Sequence, residues 1–312
     1  MLRVFEAFSG YGSQSLALER LGIEHEVVAI SEIDKYALQA YYALHSKDIP
    51  NLGDISKLDV NDIPEHDLFT YSFPCQDISV AGKTKGIVKG ETRSGLLYEC
   101  ERIIEAKRPK YLLLENVKNL VGKKFKAQFE EWLAYLESLG YTNYWKVLNA
   151  KDYGVPQNRE RVFVVSILGE HEAYEFPKPM PLNKCIKDIL EEEVDEKYYI
   201  KYDKPFPKWQ YSKNIIGYLD IGSYELNNRV YGVGSCSFTI RAKQPDQKIL
   251  VGNRLRKLTP RECFRLMGLN DTEIDVIQNL KLPKTQEYKL AGNSIVVDVL
   301  EAIFKNLFKE EQ

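Results

Sequence analysis

Nothing in this chain is apolar for long enough to span a bilayer. Its longest apolar runs, such as Val162 to Leu168 and Tyr111 to Leu114, fall far short of the roughly 20 residues that a membrane helix needs. Met1 to Ser9 lacks the apolar core of a signal peptide, so the sequence points to the cytoplasm. Cysteine is scarce too. The five present (Cys75, Cys100, Cys185, Cys236 and Cys263) are odd in number, widely spaced and never arranged as CxxC, which argues against a disulfide framework and a zinc ribbon. No metal is expected, and any functional cysteine works singly. Neither an internal repeat nor a low-complexity tail is present, and there is no excess of one charge. The formal net charge of -2 leaves a nucleic-acid partner open, because a phosphate-binding cleft needs only a local basic surface.

What is present fits one large domain and a smaller one: 312 residues, 44% hydrophobic and 28% charged. Leu2 to Phe8 reads as a buried strand, and a turn at Gly10 and Gly12 leads into a helix from Ser13 to Leu21. Val27 to Ser31, Leu68 to Ser72, Tyr111 to Leu114 and Val162 to Leu168 read as further strands, with a helix near Lys35 to His45. Leu97, Cys100 and Ile104 share one helical face; Phe125, Phe129, Trp132, Leu136 and Leu139 make another, closed by Gly140. Strands alternating with helices predict an α/β fold with an open, mostly parallel, Rossmann-like sheet. From 171 to 253 the alternation stops, and scattered prolines, lysines and tyrosines suggest a small irregular, strand-rich domain. Regular structure returns at Thr259 to Met267 and in a last helix carrying Ile295, Val299, Ile303 and Phe304. The expected division is 1–170 plus 254–312 against 171–253.

Two groups of residues could carry chemistry. A glycine turn after a first strand lets the backbone approach a ligand at a helix N-terminus, and an acid about 20 positions later can hold ribose hydroxyls. Here the turn is Gly10-Tyr11-Gly12-Ser13-Gln14-Ser15 and the acid is Glu32. The third glycine that favours pyrophosphate is missing, so a ligand with ribose but no pyrophosphate fits better, and Asp54 after Gly53 could accept from an adenine amino group. The same glycines could equally make a bare turn. The second group begins with Ser72-Phe73-Pro74-Cys75-Gln76, which puts Cys75 where a buried strand ends, the edge at which such sheets bind ligands. A free cysteine is commonly a buried packing residue. This one is followed by a loop from Gln76 to Ser94 that is rich in Gly, Lys, Thr and Ser. Glu115, after the next strand, is expected at the same edge, where a carboxyl with a raised pKa could donate a proton. Gln157-Asn158-Arg159-Glu160-Arg161 offers two guanidinium groups for a base or a phosphate, or else a solvated charge run.

Together these stretches resemble the C5-cytosine DNA methyltransferase family along nearly the whole chain. The matching segments are Phe8-Ser9-Gly10-Tyr11-Gly12, Glu32, Gly53-Asp54-Ile55, Phe73-Pro74-Cys75-Gln76, Glu115-Asn116-Val117, Gln157 to Arg161, Arg256 to Cys263, and Ala291-Gly292-Asn293-Ser294. Chance agreement at eight ordered places is negligible. Thr70 to Ser79 and Thr92 to Leu97 are similar to mollicute CpG-specific enzymes and to firmicute phage relatives; the likeness lies in the core and assigns no target sequence. The resemblance implies methyl transfer from S-adenosylmethionine to carbon 5 of a flipped-out cytosine. It makes Cys75 the nucleophile that adds to carbon 6, Glu115 the partner of ring nitrogen 3, Arg161 the contact to the oxygen on carbon 2, and Arg159 a support of the nucleophile. It gives the cofactor to Phe8, Gly10, Tyr11, Gly12, Glu32, Ile33, Asp54, Ile55, Pro74, Asn293 and Ser294.

By the same resemblance the partner is double-stranded DNA, the loop after Cys75 closes on it through Gln76, Ser79, Arg93 and Ser94, and the region 171–253 reads the target. Thr239-Ile240 resembles the threonine-plus-aliphatic pair found there, flanked by Arg229 and Arg241, which could reach base edges or phosphates. A monomer is expected, with a restriction endonuclease as a functional rather than physical companion. Three rivals remain. A nicotinamide oxidoreductase lacks the third glycine and an evident acid-base histidine. A tRNA-methylating relative would carry a contiguous Cys-Phe-Thr, which Ser235-Cys236-Ser237-Phe238-Thr239 does not. A non-catalytic relative would have lost Cys75, Glu115 or the turn.

Overall fold

The structure, a computed structural model, describes residues 1–74, 93–202, 214–219 and 225–309. Two compact units emerge: Met1–Leu148 with Glu160–Lys178 and Val299–Gln312, and Asn149–Arg159 with Pro179–Asp298. No helix among the described residues is long and apolar enough to cross a membrane, and no cluster of three or more metal-ligating side chains occurs among them.

The first unit is built on β1 (Leu2–Ala7), α1 (Ser13–Arg20), β2 (His25–Ser31), α2 (Lys35–Leu44), β3 (Leu68–Tyr71), α3 (Leu97–Lys107), β4 (Tyr111–Val117), α4 (Lys126–Ser138), β5 (Tyr141–Asn149) and β6 (Glu160–Leu168). The six strands form one sheet in the order β2-β1-β3-β4-β6-β5. β2, β1, β3 and β4 run parallel, while β6 pairs antiparallel with β4, which is the mostly parallel α/β sheet that the alternation predicts. Residues of β3 are buried on both faces, as expected of a central parallel strand. Phe69 stacks between Phe5 and Tyr71 with ring centroids 5.3 and 5.1 Å away. Each such ring contributes about 1.5–3 kcal/mol by leaving water. One difference from expectation matters for the site. β4 runs on to Val117, because its pairing with β6 continues past Leu114, the last residue opposite β3. Glu115 therefore sits within a strand, one step beyond the parallel ladder.

The second unit holds a four-stranded sheet in the order β10-β9-β8-β7: β7 (Ile215–Tyr218), β8 (Arg229–Gly232) after the short α5 (Glu225–Asn228), β9 (Lys248–Val251) and β10 (Arg254–Arg256). Its small core is Leu219, Val230 and Leu255. Helices α6 (Pro260–Arg265), α7 (Asp271–Asn279) and α8 (Lys284–Asn293) follow; α9 (Val297–Leu307) belongs from Val299 to the first unit. Arg256 is fully buried against Glu262, which also completes a capping box with Thr259 at the start of α6.

Candidate active site

The chain leaves β1 through a turn of left-handed residues: Phe8 at φ 56°, Gly10 at 59° and Gly12 at 81°. For Phe8 this conformation costs on the order of 1 kcal/mol, and the Phe8 N–H donates to the Ser31 carbonyl on β2. Glu32 organises the turn. Its Oε2 accepts from the Gly10 N–H at 3.0 Å and its Oε1 from the Ile33 and Asp34 N–H groups, each at 2.8 Å. Burial pushes the Glu32 carboxyl up, and these backbone donors pull it back only in part. Asn51 fixes the neighbouring backbone: its Oδ1 accepts from Glu32 and Gly53, and its Nδ2 donates to the Glu32 carbonyl. Asp54 accepts from the Ser56 hydroxyl and N–H, bonds that hold its carboxyl below the ordinary range.

Side chains around this turn differ in what they offer. Ile33 is 74% exposed, an apolar surface beside Glu32, whereas Tyr11 and Ile55 are buried. At Gly10 a Cβ would meet open space, so ligand atoms can approach that backbone. Ser9 is buried beside it with a hydroxyl that finds no partner among the described residues.

The second group lies where β3 and β4 end. Asn116 donates from Nδ2 to the Phe73 carbonyl at 3.0 Å, and the buried Ser94 hydroxyl donates to the Pro74 carbonyl at 2.7 Å, so the chain on both sides of 75–92 is tied to this edge. Arg93 opens the short 3-10 turn that precedes α3. Cys75, Gln76 and Ser79 lie outside the described residues. Glu115 is held by Arg161, whose Nε stands 3.1 Å from Oε1; the side chains are 10% and 17% exposed. Register explains the contact, since Val117 faces Arg161 and Glu115 faces Phe163 on adjacent antiparallel strands.

In the second unit, Arg159 is buried and its guanidinium serves carbonyls. Nη1 donates to Ile240 at 2.7 Å, and Nη2 to Gly292 and Ser294 at 3.0 and 2.8 Å. Gln157 lies alongside, accepting from the Ile240 N–H at 2.9 Å and donating to the Leu266 carbonyl at 2.6 Å. The Thr239 hydroxyl donates to the Asn158 carbonyl. Arg241 is half-buried, Asn293 is exposed at the end of α8, and the Ser294 hydroxyl donates to Leu290. Arg229, in β8, is half-buried. At Gly292 a Cβ would fall 2.1 Å from the Arg241 carbonyl carbon, so this helix and that segment touch backbone to backbone.

Residues 2–309 match the family described as C-5 cytosine-specific DNA methylase. The chain belongs to this family. It is 44% identical to the type II methyltransferase M2.ScrFI of Lactococcus lactis subsp. cremoris, covering all of both chains. That alignment runs over 372 positions against 312 residues here, so the relative carries segments this methylase lacks. It is 36% identical to the type II methyltransferase M.NlaX of Neisseria lactamica, covering 98% of this chain and 96% of the other. The Dnmt2 methyltransferase of S. pombe shares the fold, with a TM-score of 0.76, 22% identity and 99% of each chain covered. This methylase is thus a DNA (cytosine-5) methyltransferase by family.

Sequence reasoning missed Asn51, Gln157 as a structural clamp, and the histidine at the end of α2. Asn51 follows Pro50 in a loop and reads as a turn residue; nothing local shows that its amide spans Glu32 and Gly53. A signal did exist for Gln157, since it opens the stretch that carries both arginines.

Proposed function

We propose that the methylase takes S-adenosylmethionine as cofactor and methylates a cytosine swung out of duplex DNA, with Cys75 as the covalent nucleophile. The Glu115–Arg161 pair at the edge that Phe73-Pro74 approaches carries this reading, because Cys75 follows Pro74 directly. The turn fits the cofactor: Glu32 accepts one N–H on Oε2 and keeps a lone pair for a ribose hydroxyl, and Ser9 brings a buried hydroxyl without a partner among the described residues. Phe8, Ile33 and Pro74 supply apolar surface, Gly10, Tyr11, Gly12 and Ile55 supply backbone, and Asp54 takes the adenine amino group. The family pattern gives Asn293 and Ser294 to the same cofactor.

When bound, the cofactor supplies an electrophilic methyl group on a sulfonium. Position 5 of cytosine is a poor nucleophile. Addition of the Cys75 thiolate to carbon 6 moves electron density to carbon 5, while Glu115 holds a proton at ring nitrogen 3 and Arg161 meets the negative charge on the carbon 2 oxygen. Once carbon 5 is methylated, loss of its proton lets the double bond re-form and expels the thiolate. Arg159 acts through the backbone it holds rather than on the substrate. Flipping costs a few kcal/mol, which DNA contacts must offset. Gln76, Ser79, Arg93 and Ser94 bind the DNA in our reading, and Arg229, Thr239 and Arg241 read or position the target.

Because the curated relatives are named as type II methyltransferases, we place the protein in restriction-modification, as a cytoplasmic monomer whose companion endonuclease shares its target without binding it. The test is transfer of radiolabelled methyl from the cofactor to unmethylated bacterial DNA. We expect label in the DNA with the wild type and none with Cys75→Ala, which still binds cofactor. Label retained by Cys75→Ala would remove the nucleophile assignment.

A further inference from the structure

Beneath the cofactor turn lies a buried polar cluster that the chemistry above does not use. Glu6, on β1, is fully buried and accepts from the Ser15 hydroxyl of α1 at 2.9 Å. Tyr41 and His45, from α2 and its end, approach the same carboxyl. His45 has a side chain only 3% exposed, yet both ring nitrogens are engaged: Nδ1 stands 2.9 Å from Glu19 Oε1, and Nε2 stands 3.1 Å from the Tyr11 carbonyl oxygen. A carboxylate and a carbonyl can only accept. Neutral imidazole has one N–H to give, so satisfying both partners requires the imidazolium. The ring packs on Tyr41 with centroids 4.6 Å apart. Above it, a Cβ at Gly12 would lie 2.2 Å from Nε2 and 2.8 Å from Tyr41 Cε2, so the turn rests directly on these two rings.

We infer that His45 is a positioning residue for the cofactor: as an imidazolium bridging Glu19 and the Tyr11 carbonyl, it fixes the Gly10-Tyr11-Gly12 turn and so sets cofactor affinity. This rests on reading that turn as the cofactor site. Glu6 from β1 and Glu19 from α1 are the charged groups facing the ring, with Tyr41 from α2; His25 on β2 acts on Glu6. Burial pulls the His45 pKa down, but the Glu19 hydrogen bond, the charges of Glu6 and Glu19 and the Tyr11 carbonyl outweigh it and leave it above the ordinary value. Glu6 itself is pushed up by burial, with His45, Ser15 and Tyr41 pulling it back. A histidine raised on folding makes its contribution below its ordinary range and loses it as pH rises through the raised value. Affinity therefore weakens toward alkaline pH.

The experiment measures S-adenosylhomocysteine binding to the full chain by calorimetry from pH 6 to 9.5, beside NMR titration of the His45 ring. The ligand amine titrates in this range for every variant, so the difference between variants is the readout. Loss of one charged hydrogen bond predicts that the wild type weakens by about ten-fold beyond the ligand's own trend, at the pH where His45 titrates. His45→Gln, which keeps one amide donor and cannot titrate, binds weakly throughout and lacks that extra slope. Glu19→Gln, an exposed change, moves both the ring titration and the binding midpoint to lower pH. Identical slopes in wild type and His45→Gln, or a ring that titrates without changing affinity, would overturn the inference. Folded wild type that binds no S-adenosylhomocysteine at any pH would instead overturn the cofactor reading, and this inference with it.

Discussion

Two stretches of one charged run, Gln157 to Arg159 and Glu160 to Arg161, treat their arginines in opposite ways. Arg159, in the second unit, is buried and spends its guanidinium on the carbonyls of Ile240, Gly292 and Ser294. Arg161, at the start of β6 in the first unit, keeps some exposure and pairs with one carboxylate. A guanidinium bound to backbone carbonyls holds a fold and has little to gain from a substrate. One paired with a single carboxylate and itself still partly exposed can share its remaining donors with a ligand. On the proposed mechanism, two arginines that look alike in sequence divide structure from chemistry.

That division can be broken by experiment. The largest effect is expected at the chemical end: Glu115→Gln lowers the rate of methyl transfer by about 10²–10⁴-fold, since general acid-base groups contribute on that scale. Thermal unfolding should stay near the wild type, because the amide still meets Arg161. Next comes Arg159→Met, which strands three carbonyls and costs about 3 kcal/mol or more in urea unfolding. If Arg159→Met instead unfolds like the wild type but loses activity, its role is chemical and the contrast collapses. Gly292→Ala pushes a methyl into the Arg241 backbone and costs about 1–3 kcal/mol by the same assay. Smallest is Thr239→Val, which removes one hydrogen bond to the Asn158 carbonyl and costs about 1 kcal/mol, with a larger effect on DNA affinity if the hydroxyl also serves a phosphate.

How much of this was legible followed from the kind of signal each residue leaves. β1, β3 and β4 are short, mostly apolar runs with Gly10, Pro74 and Glu115 at or near their ends, and that pattern survives in a single sequence. β5 was not read, because its middle residues alternate only weakly between half-buried and exposed at the edge of the sheet. α7 carries an Asn270-x-x-Glu273 capping box that could have announced it. Arg256 sits among Arg254 and Lys257 and looks solvated, yet its partner Glu262 takes it into the interior, a contact no local pattern reveals. Glu32 and Glu115 stand out in the sequence as candidates because motif spacing marks them. His45 does not, because a lone histidine after a helix has no neighbour in sequence to show that a carbonyl and a carboxylate meet it from elsewhere.

The central claim is cytosine-5 methylation of DNA by Cys75, and base-resolution mapping of 5-methylcytosine in a methylation-free bacterial host tests it most directly. Expression of the wild type should mark one short sequence throughout the host genome, and Cys75→Ala should leave the genome blank. An unmarked genome in cells containing folded, cofactor-binding wild-type protein would contradict the account and direct the search to tRNA.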